Sequence, residues 1–428
     1  RATSAAGSPL PAPNDALGSV DVVVVASGEQ GQTVEGDVRL TTGAAHRLGS
    51  PIPVDQPVLG FVVADGYLPE PVVVSPFDPS PVRVRLLAES GVGGDRRILH
   101  FGGDTMVGRR YLEDAAGGIP DEAAARALVA DLAPLFGAAD LSVLNVESVV
   151  GDMAPGGAYP AKRFLVATPE HGVAALEALG VDVATLGNNH AFDWGEAGLR
   201  TTVEALAAGG MATVGAGADP DVARAPLIVD VEGLGVAILS YTTVTGDVVN
   251  DALPTGDAAV PADLPAEDAW QYEERAVVGT ALDWPEGPMR AGDAWRRFDA
   301  VEGDLDPAVV GDVWAEMAAV FPELQDWVAR RGHGGAAHFE RRTAAVDVAT
   351  ARSAGADLVV VALHGGHQYA PVASEYLLGA VDDLVAAGAD VVVGHHPHVV
   401  QGVALVDGVP VAHSLGNLVF DQDFGATF

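Results

Sequence analysis

Three histidines fall within four positions at His395, His396 and His398, with Pro397 between the last two. They follow Ala389-Asp390-Val391-Val392-Val393-Gly394, a short apolar run bounded by a glycine, which reads as a buried strand. Gly394 is expected to let the chain bend sharply as that strand ends. Imidazole is the commonest side-chain ligand for metals, and open α/β sheets bind their ligands at the carboxyl ends of strands. Histidines in a solvated loop are the alternative, but a His-His-Pro-His cluster at a strand end favours a metal.

Four other apolar runs end in the same way. Arg97 to Phe101 empties into Gly102-Gly103-Asp104, and Leu141 to Val146 carries Asn145 and delivers Glu147. Val181 to Leu186 runs into Gly187-Asn188-Asn189-His190, and Ala356 to Leu363 leads into His364. A pair of metal ions about 3.5–4 Å apart can clamp both the attacking and the leaving oxygen of a phosphoryl displacement. Such a pair needs bridging carboxylates, which Asp104 and Glu147 supply. It also needs an amide oxygen, from Asn189, and imidazoles, from His364, His396 and His398. These residue types suit Mn, Fe or Zn, where an all-oxygen set would point to Mg or Ca. His190 can stay off the metals and meet the substrate as an acid or electrostatic stabiliser.

The elements that must position these groups alternate strand and helix, which argues for an α/β sheet core. Helices are expected over 121–136, over 169–179 with Pro169 in the first turn, and over 196–208. A hairpin is expected across Gly233, and a helix of about fifteen residues between His364 and Ala389. The pattern breaks at about 246–338, an insertion carrying five of the six tryptophans: Trp270, Trp284, Trp295, Trp314 and Trp327. It contains an amphipathic helix expected over 306–331. It reads either as a helical excursion packing its own aromatics or as a lid over the metal site.

Composition bounds the rest. Of 428 residues, 49% are hydrophobic, and 59 acidic against 23 basic residues leave a formal charge of −36. That field repels phosphate backbones and argues against nucleic-acid partners. Small anions remain admissible because bound cations reverse the local field. Without cysteine, disulfides and thiolate sites are excluded. Residues 1–19, rich in Ala, Ser, Pro and Gly, read as a flexible tether. An upstream signal peptide or membrane anchor is expected, which makes the protein extracytoplasmic, secreted or anchored to the outer membrane face. Residues 20–90 show short strands, at 21–25, 58–63, 71–74 and 82–86, and read as a small all-β sandwich. The segment from Gly60 to Leu87 loosely resembles prealbumin-like or PEGA-like modules of exported proteins. After a glycine-rich linker, the second domain covers 96–428.

Six ordered motifs of that domain resemble the CapA/PgsA family of bacterial capsule and poly-γ-glutamate synthesis proteins, related to the calcineurin-like metallophosphoesterases. They are 101–109, 145–147, 187–195, 364–366, 394–398 and 414–420. The resemblance implies a four-layer α/β/β/α sandwich with its site at the strand ends. It implies one or two divalent ions on Asp104, Glu147, Asn189, His364, His396 and His398. It makes His190 catalytic together with Asp193, for which capping the following helix is an alternative. His395 becomes a spacer. Asn188, Arg109, His367 and Gln368 are the expected substrate contacts, and Lys162 and Arg163 are expected to reach an anionic substrate. His333 and His338 read as surface residues.

Two departures stand out. Met106 occupies the position of the histidine in the Asp-x-His motif of metallophosphoesterases, which thins the shell of one metal. Gly365 and Gln368 replace the Trp and Glu of His-Trp-Gly-x-Glu-Tyr, putting an amide where the family has a carboxylate. The expected function is hydrolysis, by metal-activated water, of a phosphoester in an anionic small-molecule or polymeric cell-envelope substrate. The alternative is poly-γ-glutamate processing, by γ-glutamyl amide hydrolysis or non-catalytic polymer handling.

Overall fold

Valine-rich segments build most of the strands. The computed structural model describes residues 19–91, 94–108, 119–153, 157–158, 162, 164–244, 253–262, 264, 266–277, 287–324 and 327–420. The expected tether up to residue 18, and Arg109, Arg163 and Trp284, lie outside the described residues. Two compact units divide at Ile98/Leu99.

In the first unit, Val20–Ser27 turns Val22, Val24 and Ala26 inward on alternate positions. It pairs with Thr33–Val34, Pro51–Val54 and Val82–Arg85. Ala45–Arg47, Asp37–Leu40, Val58–Val63 and Glu70–Val74 form a second, antiparallel sheet. Both sheets contribute to one core, with Val22, Val24 and Ile52 from the first and Val38, Val62 and Val74 from the second. Pro51–Val54 carries no strand signal because of its two prolines. It forms nonetheless at a sheet edge, where proline is tolerated.

The second unit is mixed α/β. One sheet runs Ala212–Val214, Val183–Thr185, Leu141–Val146, Leu99–Thr105, Asn417–Val419, all parallel. The other runs Leu227–Val231, Leu234–Thr242, Leu358–His364, Val391–His395, Val409–Ala412, Val403–Val406, parallel at its centre with an antiparallel hairpin at each edge. Leu141, Val143 and Val183 of the first sheet share a core with Val236, Ile238, Val360 and Val393 of the second. On the far side of the first sheet, Leu144 and Ala184 pack with Leu176, Leu179 and Leu206 of its helices. On the far side of the second, Leu239 and Val361 pack with Val348, Leu377 and Leu384 of the helices Arg341–Ser353 and Glu375–Ala387. Strands buried on both faces explain the near-continuous apolar runs of the sequence. No helix of the described residues is long and apolar enough to cross a membrane.

Two expected helices are shorter than their patterns. The 121–136 stretch splits into Glu122–Leu128 and Ala133–Phe136, with Pro134 in the first turn of the second piece. The 306–331 helix is Pro307–Val320, stopped ahead of Pro322, and it is preceded by a separate helix, Ala291–Glu302. Trp295 and Trp314 meet edge to face at 5.8 Å, with Phe298 beside both. These aromatics of the insertion meet one another within the same core that holds Leu144 and the helices behind the first sheet.

Gly394 corrects an expectation. It lies within the Val391–His395 strand rather than at a bend. A Cβ there would stand 1.9 Å from the carbonyl oxygen of His413, and one at Gly103 would stand 2.0 Å from that of Gly416. These glycines let neighbouring backbones close on the strand ends. We predict that Gly394→Ala lowers unfolding free energy by more than about 2 kcal/mol in urea titration, the range of overpacked core sites. An unchanged midpoint would show that the strand can yield.

Candidate metal centre

The two sheets bring their carboxyl ends together. Asp104, next to last in the strand Leu99–Thr105, is in register with Asn145, and Glu147 directly follows the neighbouring strand Leu141–Val146. In the facing sheet, His364 is in register with His395. Asp104 and Glu147 are wholly buried, and His364, His396 and His398 nearly so.

Asp104 is held from several directions. Its Oδ1 accepts from the Asn145 amide at 2.8 Å and faces His395 Nδ1 at 3.1 Å; its Oδ2 accepts from the His396 backbone N–H at 3.1 Å. Around His364 Nε2 lie Asn189 Oδ1 at 2.8 Å, His396 Nδ1 at 3.1 Å and Glu147 Oε1 at 3.6 Å. His398 places Nδ1 at 2.9 Å from Asn417 Oδ1 and Nε2 at 3.8 Å from Glu147 Oε1. Two groups result: Asp104, Glu147 and His398, and Glu147, His364 and His396, with donor atoms in each within 4.8 Å of one another. Glu147 belongs to both, the place a bridging carboxylate takes.

The protonation states suit a cation. Burial alone would push the Asp104 carboxyl up. The His395 hydrogen bond and the charges of His395, His398 and His364 override it and hold the group well below the usual carboxylate range. Burial, followed by the neighbouring His396, pushes His364 well down. Burial and then His398 push His396 down to about 3. Ionised carboxylates and neutral imidazoles are the forms that ligate metal. His396 Nε2 is buried and finds no hydrogen-bond partner among the described residues, and a buried lone pair of this kind is costly unless something binds it.

The loop carrying the two histidines is strained. His396 has φ +93° and His398 φ +57°. Each left-handed non-glycine residue costs roughly 1–3 kcal/mol, and such strain collects at functional sites. Beside it, His190 Nδ1 lies 2.8 Å from Asp193 Oδ2, and that oxygen also accepts from the Val166 N–H at 2.6 Å. Lys162 contacts the other carboxylate oxygen. Burial raises Asp193, but the charges of Lys162 and His190 outweigh it and hold the carboxyl down.

Several expectations change. Asp193 does not cap the next helix: Trp194 is the cap residue of Gly195–Ala208, with no side-chain cap bond. Asn188, expected to contact substrate, is fully buried and braces its neighbours. Its amide donates to Asn145 and Val146, and its oxygen accepts from the His190 N–H. His395 is no mere spacer but a buried partner of Asp104. Lys162 is buried against Asp193 and the Asn189 carbonyl rather than reaching outward. His367 is exposed at the rim and Gln368 half-buried beside it. A polar residue in register with a ligand strand, as Asn145 is, was the available signal for the bracing set.

A third grouping, Asp299, His338 and Glu340, lies in and just beyond the insertion. His338, expected on the surface, is half-buried with its ring 5.9 Å from that of Trp295. The hydrogen bond with Asp299, then burial, pushes Glu340 up to about 7. One proton shared between two carboxyls accounts for the contact.

A family model described as "Bacterial capsule synthesis protein PGA_cap" matches residues 98–422. An uncharacterised protein of Sinorhizobium fredii is 27% identical over 68% of this chain and 61% of its own length. The PGA biosynthesis protein CapA of Bacillus subtilis is 25% identical over 76% of this chain and 64% of its own. A probable polyglutamine synthesis accessory protein of Mycobacterium tuberculosis is 26% identical over 67% and 57%. The chain thus spans about three-fifths of the length of these relatives.

Two outcomes are expected of this geometry. Glu147→Gln should remove more bound divalent metal per chain than His398→Ala, because only Glu147 serves both groups; equal losses by elemental analysis would contradict a shared role. Glu340 holds its proton to about 7 in the folded chain against an ordinary 4.5, so stability falls as pH rises between those values. Glu340→Gln should therefore raise Tm at pH 8, with the gain fading by pH 4.5. A gain independent of pH would rule out the shared proton.

Proposed function

The chain belongs to the bacterial capsule synthesis protein PGA_cap family, and from that premise we propose an exported metal-dependent hydrolase that cleaves a phosphoester of the cell envelope. The observation that carries the reading is His190, fixed by Asp193 beside a buried set of two carboxylates and three imidazoles. The fold it implies is a four-layer α/β/β/α sandwich preceded by a small β-sandwich. Support comes from the core shared by the two larger sheets and from the single core of the first unit.

Asp104, Glu147 and His398 would hold one divalent ion, and Glu147, His364 and His396 with the Asn189 amide oxygen a second. Mn, Fe and Zn suit these donors. Such ions supply Lewis-acid polarisation of a phosphoryl oxygen and lower the proton affinity of water. The chain does the rest. Asp193 engages His190 Nδ1, which leaves Nε2 as the ring nitrogen able to hand a proton to the leaving oxygen. Burial excludes bulk water and strengthens each electrostatic contact. The substrate would be an anionic small molecule or polymer, met outside the cytoplasm. The capsule and polyglutamate names of the relatives support that setting, and the charge of −36 disfavours nucleic acid.

A second reading is poly-γ-glutamate handling, by amide hydrolysis or by binding alone. The names of the Bacillus and Mycobacterium relatives favour it. Metal-loaded protein should hydrolyse a phosphomonoester or a phosphodiester. Activity on neither, with metal bound, would leave the polyglutamate reading. His190→Ala should lower kcat by about 10²- to 10⁴-fold with metal content nearly unchanged; loss of metal would make His190 a ligand instead.

A further inference from the structure

The Asp193 carboxylate at the back of the site is wholly buried and holds more than His190. Lys162, with a side chain only 4% exposed, makes an ion pair with its Oδ1 and also donates to the Asn189 carbonyl oxygen. One ammonium group therefore ties down the backbone of a candidate ligand and the carboxylate that orients the candidate acid. The Lys162 Nζ lies 4.4 Å from the centroid of the Trp327 ring, within the range of a cation–π contact. Trp327 is in turn fixed by its indole N–H, which donates to the Val244 carbonyl at 2.8 Å. A second contact from the same region reaches the same loop: the His333 ring stands 4.8 Å from that of Phe192.

We propose that Lys162 is a positioning residue for His190, and that the tryptophan-rich insertion serves the site from behind by closing Trp327 over that lysine. The physical case rests on what each contact restrains. Asp193 already accepts from the Val166 N–H and His190 on one oxygen. Without a cation on the other oxygen, a buried carboxylate would be left partly unpaired, a costly state that it relieves by moving or by taking up a proton. Either response alters the partner offered to His190 Nδ1, and with it the ring orientation. Trp327 covers the ammonium group with an apolar face that excludes water while keeping the charge stabilised. The Nζ thereby stays with Asp193 and Asn189. This assignment rests on the hydrolase reading for its catalytic consequence, but the geometry of Lys162, Asp193 and His190 is independent of it.

The test uses the full chain with ¹⁵N-labelled histidine. The Nδ1–H proton of His190 held by Asp193 should give a low-field NMR resonance, identified by its absence in His190→Gln. Lys162→Met should lose or shift that resonance, and Lys162→Arg should retain it in part. Trp327→Leu should broaden it by letting water reach the pair. If Lys162→Met does not fold, the Arg and Trp327→Leu variants decide. A resonance at the wild-type position in every folded variant overturns the proposal. On a substrate that the wild type turns over, the Met variant should lose on the order of 10²-fold in kcat at similar KM, the scale of a small misplacement. Altered resonance without any wild-type turnover supports the positioning role while sinking the hydrolase reading.

Discussion

Ionisable groups removed from water are the constraint on which the second unit depends. Asp104 and Glu147 are fully buried among four imidazoles, and burying a carboxylate is tolerable only when donors or cations surround it. The fold meets that demand by ending parallel strands of two sheets at one place, so that each strand contributes one or two polar groups to an otherwise apolar layer. The valine and leucine pairs between the sheets are therefore more than core. They set the separation at which His364 and His396 can face Asn189 and Glu147.

Close approach at the strand ends is the second requirement, and it comes at a conformational cost. Glycines at 103 and 394 admit the backbones of Gly416 and His413. The chain then turns through left-handed backbone at His396 and His398. With Pro397 fixing φ between them, the two imidazoles are delivered to different groups. The His396 N–H is spent on Asp104. A loop with this much unfavourable geometry persists because the surrounding hydrogen bonds over-determine it.

Much of this was legible in the sequence, for a physical reason. Strands buried on both faces must be apolar, so the polar residues at their ends stand out, and Asp104, Glu147, Asn189, His364, His396 and His398 were all found that way. The family resemblance ordered them. What stayed hidden are residues whose role depends on register or on distant partners. His395 reads as a spacer from the family pattern, and only the fold brings its ring to Asp104. Asn188 reads as a substrate contact, and nothing in the sequence shows that its amide turns back to Asn145 and Val146. Lys162 sits in a loop without periodicity, and its partner Asp193 is thirty-one positions away. Helix ends were misjudged where Pro134 and Pro322 interrupt a continuing amphipathic pattern.

Met106 bears on how the two groups differ. It stands where the resemblance to metallophosphoesterases places a histidine, and it is fully buried. Its thioether offers little to a hard divalent ion. Asp104, Glu147 and His398 would therefore offer a bound ion three protein donors. The group of Glu147, His364 and His396 has the Asn189 oxygen as a fourth. Three protein ligands with an open position is the pattern of catalytic sites, and a filled set that of structural ones. Were ions bound, the Asp104 side would be the one left open to a substrate oxygen, and the Asn189 side, next to His190, would be the anchored half.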